Sequence, residues 1–228
     1  MKQNHQAHHW LLPVVASAFA VVGLAASAHA NSQGPLGGAS AGQGTGAGPD
    51  WVPVGAILAS DDVRASVTLG NDDITERINP VNFGFSIPDQ ATIDGIEVSI
   101  ERRGVAVSGT PETHLFLRKN DNSSVSKLDT SSWPLSDSVL TLGGPSDLWG
   151  TTWTAADING TSFGFRPQIQ VRTRASDSGT FELDHVTVTV YFTHSVSLLQ
   201  PWALCLLALA LMMSGGLLLS KKSGPHAA

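Results

Sequence analysis

The sequence predicts an all-β fold, an antiparallel jelly-roll-like β-sandwich of about eight strands, flanked by an N-terminal signal peptide and a C-terminal transmembrane helix. Three observations predict it. Apolar and polar residues alternate between Trp51 and Thr193, and no long amphipathic helix interrupts the alternation. In addition, an uncharged apolar run lies near each end of the chain.

Residues 1–30 are typical of a secretory signal peptide. Lys2 supplies a positive start, an apolar run extends from Trp10 to Ala26, and Ala28-His29-Ala30 has the spacing of an A-x-A cleavage site. An uncleaved signal anchor is the alternative.

Residues 31–50 predict a flexible linker. The segment is dominated by Gly, Ser and Ala, and it carries no charge as far as Pro49. Such small side chains bury too little apolar surface to offset the entropy lost on ordering.

Residues 51–195 predict the β-sandwich ectodomain, because apolar side chains alternate with polar ones at the period of a strand. Each predicted strand then has one face for the core and one face for water, as in two packed antiparallel sheets. The apolar rows are Val63, Ala65, Val67 and Leu69; Val81, Phe83, Phe85 and Ile87; Ile96, Val98 and Ile100; Leu115 and Leu117; Phe163, Phe165, Pro167, Ile169 and Val171; and Val186, Val188, Val190 and Phe192.

The turn-rich stretch 147–160, DLWGTTWTAADING, contains two tryptophans. Thr154 and Asp157 have capping-box spacing and predict one short helical turn, and Asn159-Gly160 predicts a left-handed reversal after it. Two hypotheses remain open for Trp149 and Trp153: a plug that closes one end of the sandwich, or an exposed ligand-binding surface on which a sugar stacks.

Residues 198–220 predict a transmembrane helix. Pro201 to Leu219 carries no charge and, at about 1.5 Å per residue, is long enough to cross a bilayer. Lys221 and Lys222 begin a short basic tail, 221–228, and the positive-inside rule places it in the cytoplasm. The expected product is an exported single-pass membrane protein with an extracytoplasmic domain and a cytoplasmic C-terminus.

Charge and cysteine content narrow the choice of partners. Residues 31–200 carry 19 acidic and 10 basic side chains, a net charge of −9, which makes nucleic acid a poor partner. A glycan or an envelope protein remains a candidate partner. The one cysteine, Cys205, lies in the predicted transmembrane segment, so the ectodomain has no disulfide.

Two sets of residues are candidate ligand sites. Arg166, Gln168, Gln170 and Arg172 form a polar row that could grip carboxylates or sugar hydroxyls, although solvent-facing strand residues often have this composition. The clusters Asp61-Asp62 and Asn71-Asp72-Asp73 offer hard oxygen ligands for a structural calcium ion. The alternative for Asp61, Asp62, Asp72 and Asp73 is that they form turns, since EF-hand spacing is absent.

The sequence contains no nucleophile elbow, zinc-binding helix motif or phosphate-cradling loop, so it predicts a protein that is not an enzyme and needs no cofactor beyond that candidate calcium. The leading hypothesis is a membrane-anchored envelope protein with a structural or adhesive role. A carbohydrate-binding module with exposed tryptophans is the alternative, and an envelope hydrolase is the third hypothesis.

Four segments carry a resemblance: ILASDDVRASV, FGFSIPDQATIDGIEVSIERR, DLWGTTWTAADINGTSFGF and DHVTVTVYF. Together they resemble an uncharacterised β-sandwich domain of secreted bacterial and phage proteins, which implies a non-catalytic extracellular module. The tail resembles IPTL-CTERM sorting signals at Leu199, Trp202, Ala203 and Leu204, but Val196-Ser197 replaces the Ile-Pro, and Gln200-Pro201 departs as well. A permanent anchor is the simpler interpretation.

Overall fold

The computed structural model describes residues 27–119, 122–123, 126–161, 166–196 and 206. Ser27–Val196 form one compact unit, and a second unit comprises 1–26 and 197–228, of which Leu206 alone is described. The strands are β1 Ser27–Gly37, β2 Ser40–Gln43, β3 Ala65–Leu69, β4 Ile78–Val81, β5 Thr92–Ser108, β6 Glu112–Lys119, β7 Asn122–Ser123, β8 Lys127–Asp129, β9 Ser138–Gly144, β10 Arg166–Arg172 and β11 Ser178–Val196. A 3-10 helix spans Val54–Ile57, and helix α1 spans Ala155–Asn159.

The strands form two antiparallel sheets. The first has the order β1-β11-β5-β9, with β3 also paired to β11, and the second has the order β2-β4-β10-β6-β7, with β8 also paired to β6. The predicted all-β antiparallel fold is therefore confirmed. The described residues contain eleven strands rather than about eight, because β1 and β2 precede the predicted domain boundary and β7 and β8 are too short to show alternation.

The core consists of the inward rows that the alternation predicts. Ile96, Val98 and Ile100 on β5 are fully buried, and so are the inward rows of three other strands. These rows are Val186, Val188 and Val190 on β11, Leu115 and Leu117 on β6, and Ile169 and Val171 on β10. Apolar burial at about 25 cal/mol per Å² is the main stabilising contribution in such a core.

The predicted linker at 31–50 is wrong over much of its length. It contains most of β1, which pairs with β11, and all of β2, which pairs with β4. Gly34 shows the physical reason, since a Cβ there would lie 2.5 Å from the carbonyl oxygen of Val188. The glycines of this segment permit close approach between backbones, whereas the composition had suggested chain flexibility.

Two local predictions also change. The row Phe83, Phe85 and Ile87 is buried, but positive φ angles at Asn82 (60°) and Gly84 (71°) break the strand there. The predicted capping box of α1 is present at Thr154, whereas Gly160 is extended (φ −66°, ψ 133°) and not left-handed.

Most of the predicted signal peptide and all but Leu206 of the predicted transmembrane segment lie outside the described residues. Within the part of the chain that is described, no helix has the length and apolar character needed to span a bilayer. The A-x-A motif at 28–30 lies in β1, where Ala30 pairs with Thr193.

Candidate binding site

Trp149 and Trp153 do not form an exposed surface for a sugar. They are 1% and 6% exposed, and their indole N–H groups donate to the carbonyls of Ile96 (2.9 Å) and Leu148 (3.0 Å). Trp51 and Trp133 are buried as well. Because a stacking site needs an open ring face, the prediction of a tryptophan sugar site is wrong, and both indoles belong to the core.

Gln168, Gln170 and Arg172 of the predicted polar row lie on the outer face of the second sheet, since Ile169 and Val171 between them point into the core. The antiparallel register sets Gln168 opposite Phe116 and Gln170 opposite His114 on β6. Arg172 is exposed, and the side chain of Arg166 lies outside the description. The sequence therefore identified the correct face of a strand without identifying its neighbours.

A cavity of about 570 Å³ opens above β10 on this face. It brings together Gln168 and Gln170 from one predicted set and Asp72 and Asp73 from the other, although the two sets lie far apart in the sequence. The remaining lining residues are Gly44, Gly46, Ala47, Gly48, Pro49, Ile74, Thr75, Glu76, Arg77 and Arg118. Its volume is in the range of small-molecule binding sites.

One wall of the cavity is the glycine segment, residues 44–49, which Glu76 holds in place. A Glu76 carboxylate oxygen accepts from the Gly48 N–H (3.0 Å), and the Gly44 N–H donates to the carbonyl of Arg77 (2.9 Å). A Cβ at Gly44 or Gly46 would collide with the same carboxylate. The alternating glycines are the sequence signal that could have revealed this wall, because glycine permits such close approach.

Arg77 and Phe116 were missed by the sequence analysis. The Arg77 guanidinium lies 4.3 Å from the centre of the Phe116 ring. Arg77 directly precedes β4 and Phe116 lies on β6, so the arginine side chain crosses β10, which runs between those strands. No local pattern in the sequence reveals a contact across three strands. A guanidinium at this distance from a ring centre makes a favourable cation–π interaction.

Gln168 contributes a buried polar atom to the cavity lining that lacks a hydrogen-bond partner among the described residues. Its side chain is 6% exposed, and its Oε1 has no hydrogen-bond partner among the described residues. By contrast, the Gln170 amide donates to the carbonyl of Thr75 (2.8 Å) and supports the cavity floor. A buried amide oxygen without a partner costs free energy that a bound hydroxyl or ordered water would recover.

The predicted calcium ligands do not come together. Asp61 accepts from the Val63 N–H (3.1 Å) and Asp73 accepts from the Gly70 N–H (2.7 Å), which are turn hydrogen bonds. Asp62 and Asp72 have positive φ angles of 67° and 59°. No group of three or more metal-ligating side chains occurs within the described ranges, so these residues do not fit a calcium site.

Asp184 lies under the loop that contains Asp61 and Asp62. It is 1% exposed, its Oδ2 accepts from the Asp62 N–H (3.2 Å), and its Oδ1 has no partner among the described residues. Burial raises the pKa of Asp184, backbone hydrogen bonds from Asp62 and Asp61 oppose the rise, and the negative charge of Glu101 adds to it. Folding therefore shifts the balance of Asp184 toward its protonated form relative to the unfolded chain.

We expect Asp184→Asn to change the pH dependence of stability. Because its pKa is raised in the folded state, Asp184 stabilises the fold only in its protonated form. This contribution to the free energy of unfolding is complete below the unfolded-state pKa of about 3.9 and is lost as the pH rises through the folded-state pKa. Asparagine imitates the protonated acid, so the variant should be more stable than the wild type at pH 7 and similar to it near pH 3. Urea unfolding at both pH values measures this. An equal stability difference between the variant and the wild type at both pH values would contradict this prediction.

No protein-family model and no curated protein matches the sequence. A solved structure of the carbohydrate-binding module TmCBM61 in complex with beta-1,4-galactotriose is similar at 9% identity, covering 71% of this chain and 86% of that chain, with a TM-score of 0.35. A CBM4 carbohydrate-binding module is similar at 11% identity, covering 57% and 85%, with a TM-score of 0.34. The structure of broad bean stain virus is similar at 15% identity, covering 82% and 96%, with a TM-score of 0.26. At these scores, what this chain binds has to be inferred from its own residues.

Proposed function

We propose that this protein is a non-catalytic carbohydrate-binding protein whose cavity on the outer face of the second sheet takes a saccharide. The observation that carries the proposal is Gln168, a buried amide of the cavity lining whose oxygen has no hydrogen-bond partner among the described residues. It projects from β10, a strand inside the sheet, and rigid elements hold binding groups more accurately than loops do.

The chemistry of the lining supports a polyhydroxylated ligand. The amides of Gln168 and Gln170 can donate to and accept from neighbouring hydroxyls, and the Arg77 guanidinium can donate to them. Ile74 and Pro49 give an apolar part to the same lining, as small-molecule sites usually have. A site with fixed polar groups discriminates strongly against ligands that leave those groups unpaired.

The location of this binding domain is part of the proposal. An exported chain held by a single membrane helix would display the cavity on the extracytoplasmic side, where envelope and environmental glycans are found. The charge-free run and the following lysines support this anchoring. A structural or adhesive role in the envelope would then operate through glycan contact.

The proposal is tested by binding of the full-length chain to an array of neutral and acidic oligosaccharides, followed by calorimetry on the best ligand. Gln168→Ala should lower the affinity for that ligand about tenfold, because a hydrogen bond in a buried site contributes about 1.5 kcal/mol. Gln90→Ala removes the same side chain from an exposed turn and should leave affinity unchanged. Failure of every oligosaccharide to bind, or equal effects of the two variants, would contradict the proposal.

A further inference from the structure

We infer that the saccharide is acidic and that Arg77 is the residue that binds its carboxylate. This inference rests on the proposed function and names the ligand class of the same cavity. It follows from two observations: which charged side chains of the lining already have hydrogen-bond or ion-pair partners, and where these side chains lie along β10.

Within the described part of the chain, Arg77 is a cation without an anionic partner. Its guanidinium contacts the Phe116 ring, and none of the described residues forms an ion pair with it. This is unexpected in a lining that also contains three acidic residues, Asp72, Asp73 and Glu76. Six other arginine and lysine residues, Arg64, Arg102, Arg103, Lys119, Lys127 and Arg174, do pair with carboxylates in the described part of the chain.

Two of the three carboxylates are turned to other partners. Glu76 accepts from the Gly48 N–H and is enclosed by the glycine segment, and Asp73 accepts from the Gly70 N–H. The third, Asp72, belongs to a loop whose backbone N–H donates to the carbonyl of Arg174 (3.3 Å). Glu76, Asp73 and the backbone of Asp72 therefore stabilise the segments that line the cavity.

The Arg77 guanidinium lies away from the aspartate loop along β10. It lies over Phe116, whose register partner is Gln168, whereas the Asp72 loop is bonded at position 174. Six residues separate positions 168 and 174, which is about 20 Å at the rise of a strand. An anionic group beside Arg77 is therefore held away from the aspartates of that loop.

The geometry of Arg77 suits a carboxylate. The Phe116 ring lies 4.3 Å from the guanidinium and occupies one of its faces. The planar fork of N–H groups that every guanidinium has matches the two oxygens of a carboxylate. Gln168 lies on β10, the strand that the arginine crosses, so its amide is placed to bond a neighbouring hydroxyl of the same sugar. A uronic acid carries both groups on one ring.

The test uses the full-length chain with polygalacturonate, alginate and hyaluronan, each compared with its carboxyl-reduced form, and with the neutral oligosaccharides of the array. We expect the acidic form of at least one polymer to bind tenfold or more tightly than its reduced form. The difference should shrink as NaCl is raised. Arg77→Gln should abolish the difference in affinity between the acidic and the reduced polymer. Arg77→Lys should keep part of this difference, because lysine retains the charge but not the planar fork.

Arg172→Gln is the matched control, because it removes one positive charge from the same sheet face outside the cavity lining. Equal binding of acidic and reduced forms, binding of neutral sugars alone, or equal effects of the two substitutions would overturn the inference and leave the proposed function standing. Absence of binding to every saccharide, acidic or neutral, would overturn both. The comparison of acidic with reduced polymers uses the wild-type chain, so it tests the preference for an acidic saccharide even if an Arg77 variant unfolds.

Discussion

Trp149→Ala is expected to lower the free energy of unfolding by about 3–5 kcal/mol, the range measured when large aromatic core residues are truncated. The Trp149 indole is fully enclosed, its N–H donates to the carbonyl of Ile96, and the Lys127 ammonium lies 4.9 Å from its ring centre. Truncation would open a cavity and leave a buried carbonyl without its donor. A loss of this size approaches the whole net stability of a typical domain.

Urea unfolding followed by circular dichroism measures the effect. Trp149→Phe keeps most of the apolar volume and loses the indole donor, so its cost should lie well below that of alanine. Leu135→Ala is the control, since Leu135 is 75% exposed and should change stability by less than about 0.5 kcal/mol. A folded Trp149→Ala variant with wild-type stability would show that the indole does not belong to the core.

Arg102→Ala has the second largest expected effect, also about 3–5 kcal/mol, because it leaves a carboxylate that is only 13% exposed without its cation. Arg102 is 5% exposed and pairs with Asp129 at 2.8 Å. It also donates to the hydroxyls of Thr113 (3.1 Å) and Ser131 (2.8 Å), and its guanidinium lies 4.9 Å from the ring centre of Trp133. One substitution therefore removes an ion pair, two hydrogen bonds and an aromatic contact.

A double-mutant cycle separates these contributions. Arg102→Met combined with Asp129→Asn removes both charges and should recover part of the loss, since the main penalty comes from the uncompensated carboxylate. Arg64→Ala breaks the pair of Arg64 with Asp137, whose side chain is 38% exposed, and should cost about 1 kcal/mol or less. Equal costs for Arg102→Ala and Arg64→Ala would show that burial does not distinguish the two pairs.

Local patterns predicted the parts of the fold that depend on neighbours in the chain. The alternation of Ile96, Val98 and Ile100 identified the inward face of β5, and the spacing of Thr154 and Asp157 identified the cap of α1. Both depend on backbone periodicity and short-range hydrogen bonds, which hold wherever the segment lies in the molecule.

Long-range contacts decided the candidate site, and the sequence could predict only part of it. The row from Arg166 to Arg172 was identified as an outer face, and Gln168 and Gln170 do line the cavity. The contribution of Arg77 depends on its crossing of β10, and the wall at 44–49 depends on the Glu76 carboxylate. Contacts between residues on different strands leave no periodic signal in a single sequence.

The sequence by itself determined that this chain is an all-β protein with a disulfide-free core, because side chains that alternate in polarity must bury one face of each strand. The tertiary structure alone decided that the tryptophans point inward, that the glycines of residues 31–50 serve close packing, and that two distant polar sets share one cavity. The reason is that strand pairing and sheet packing set these distances, and both join residues that lie far apart in the chain.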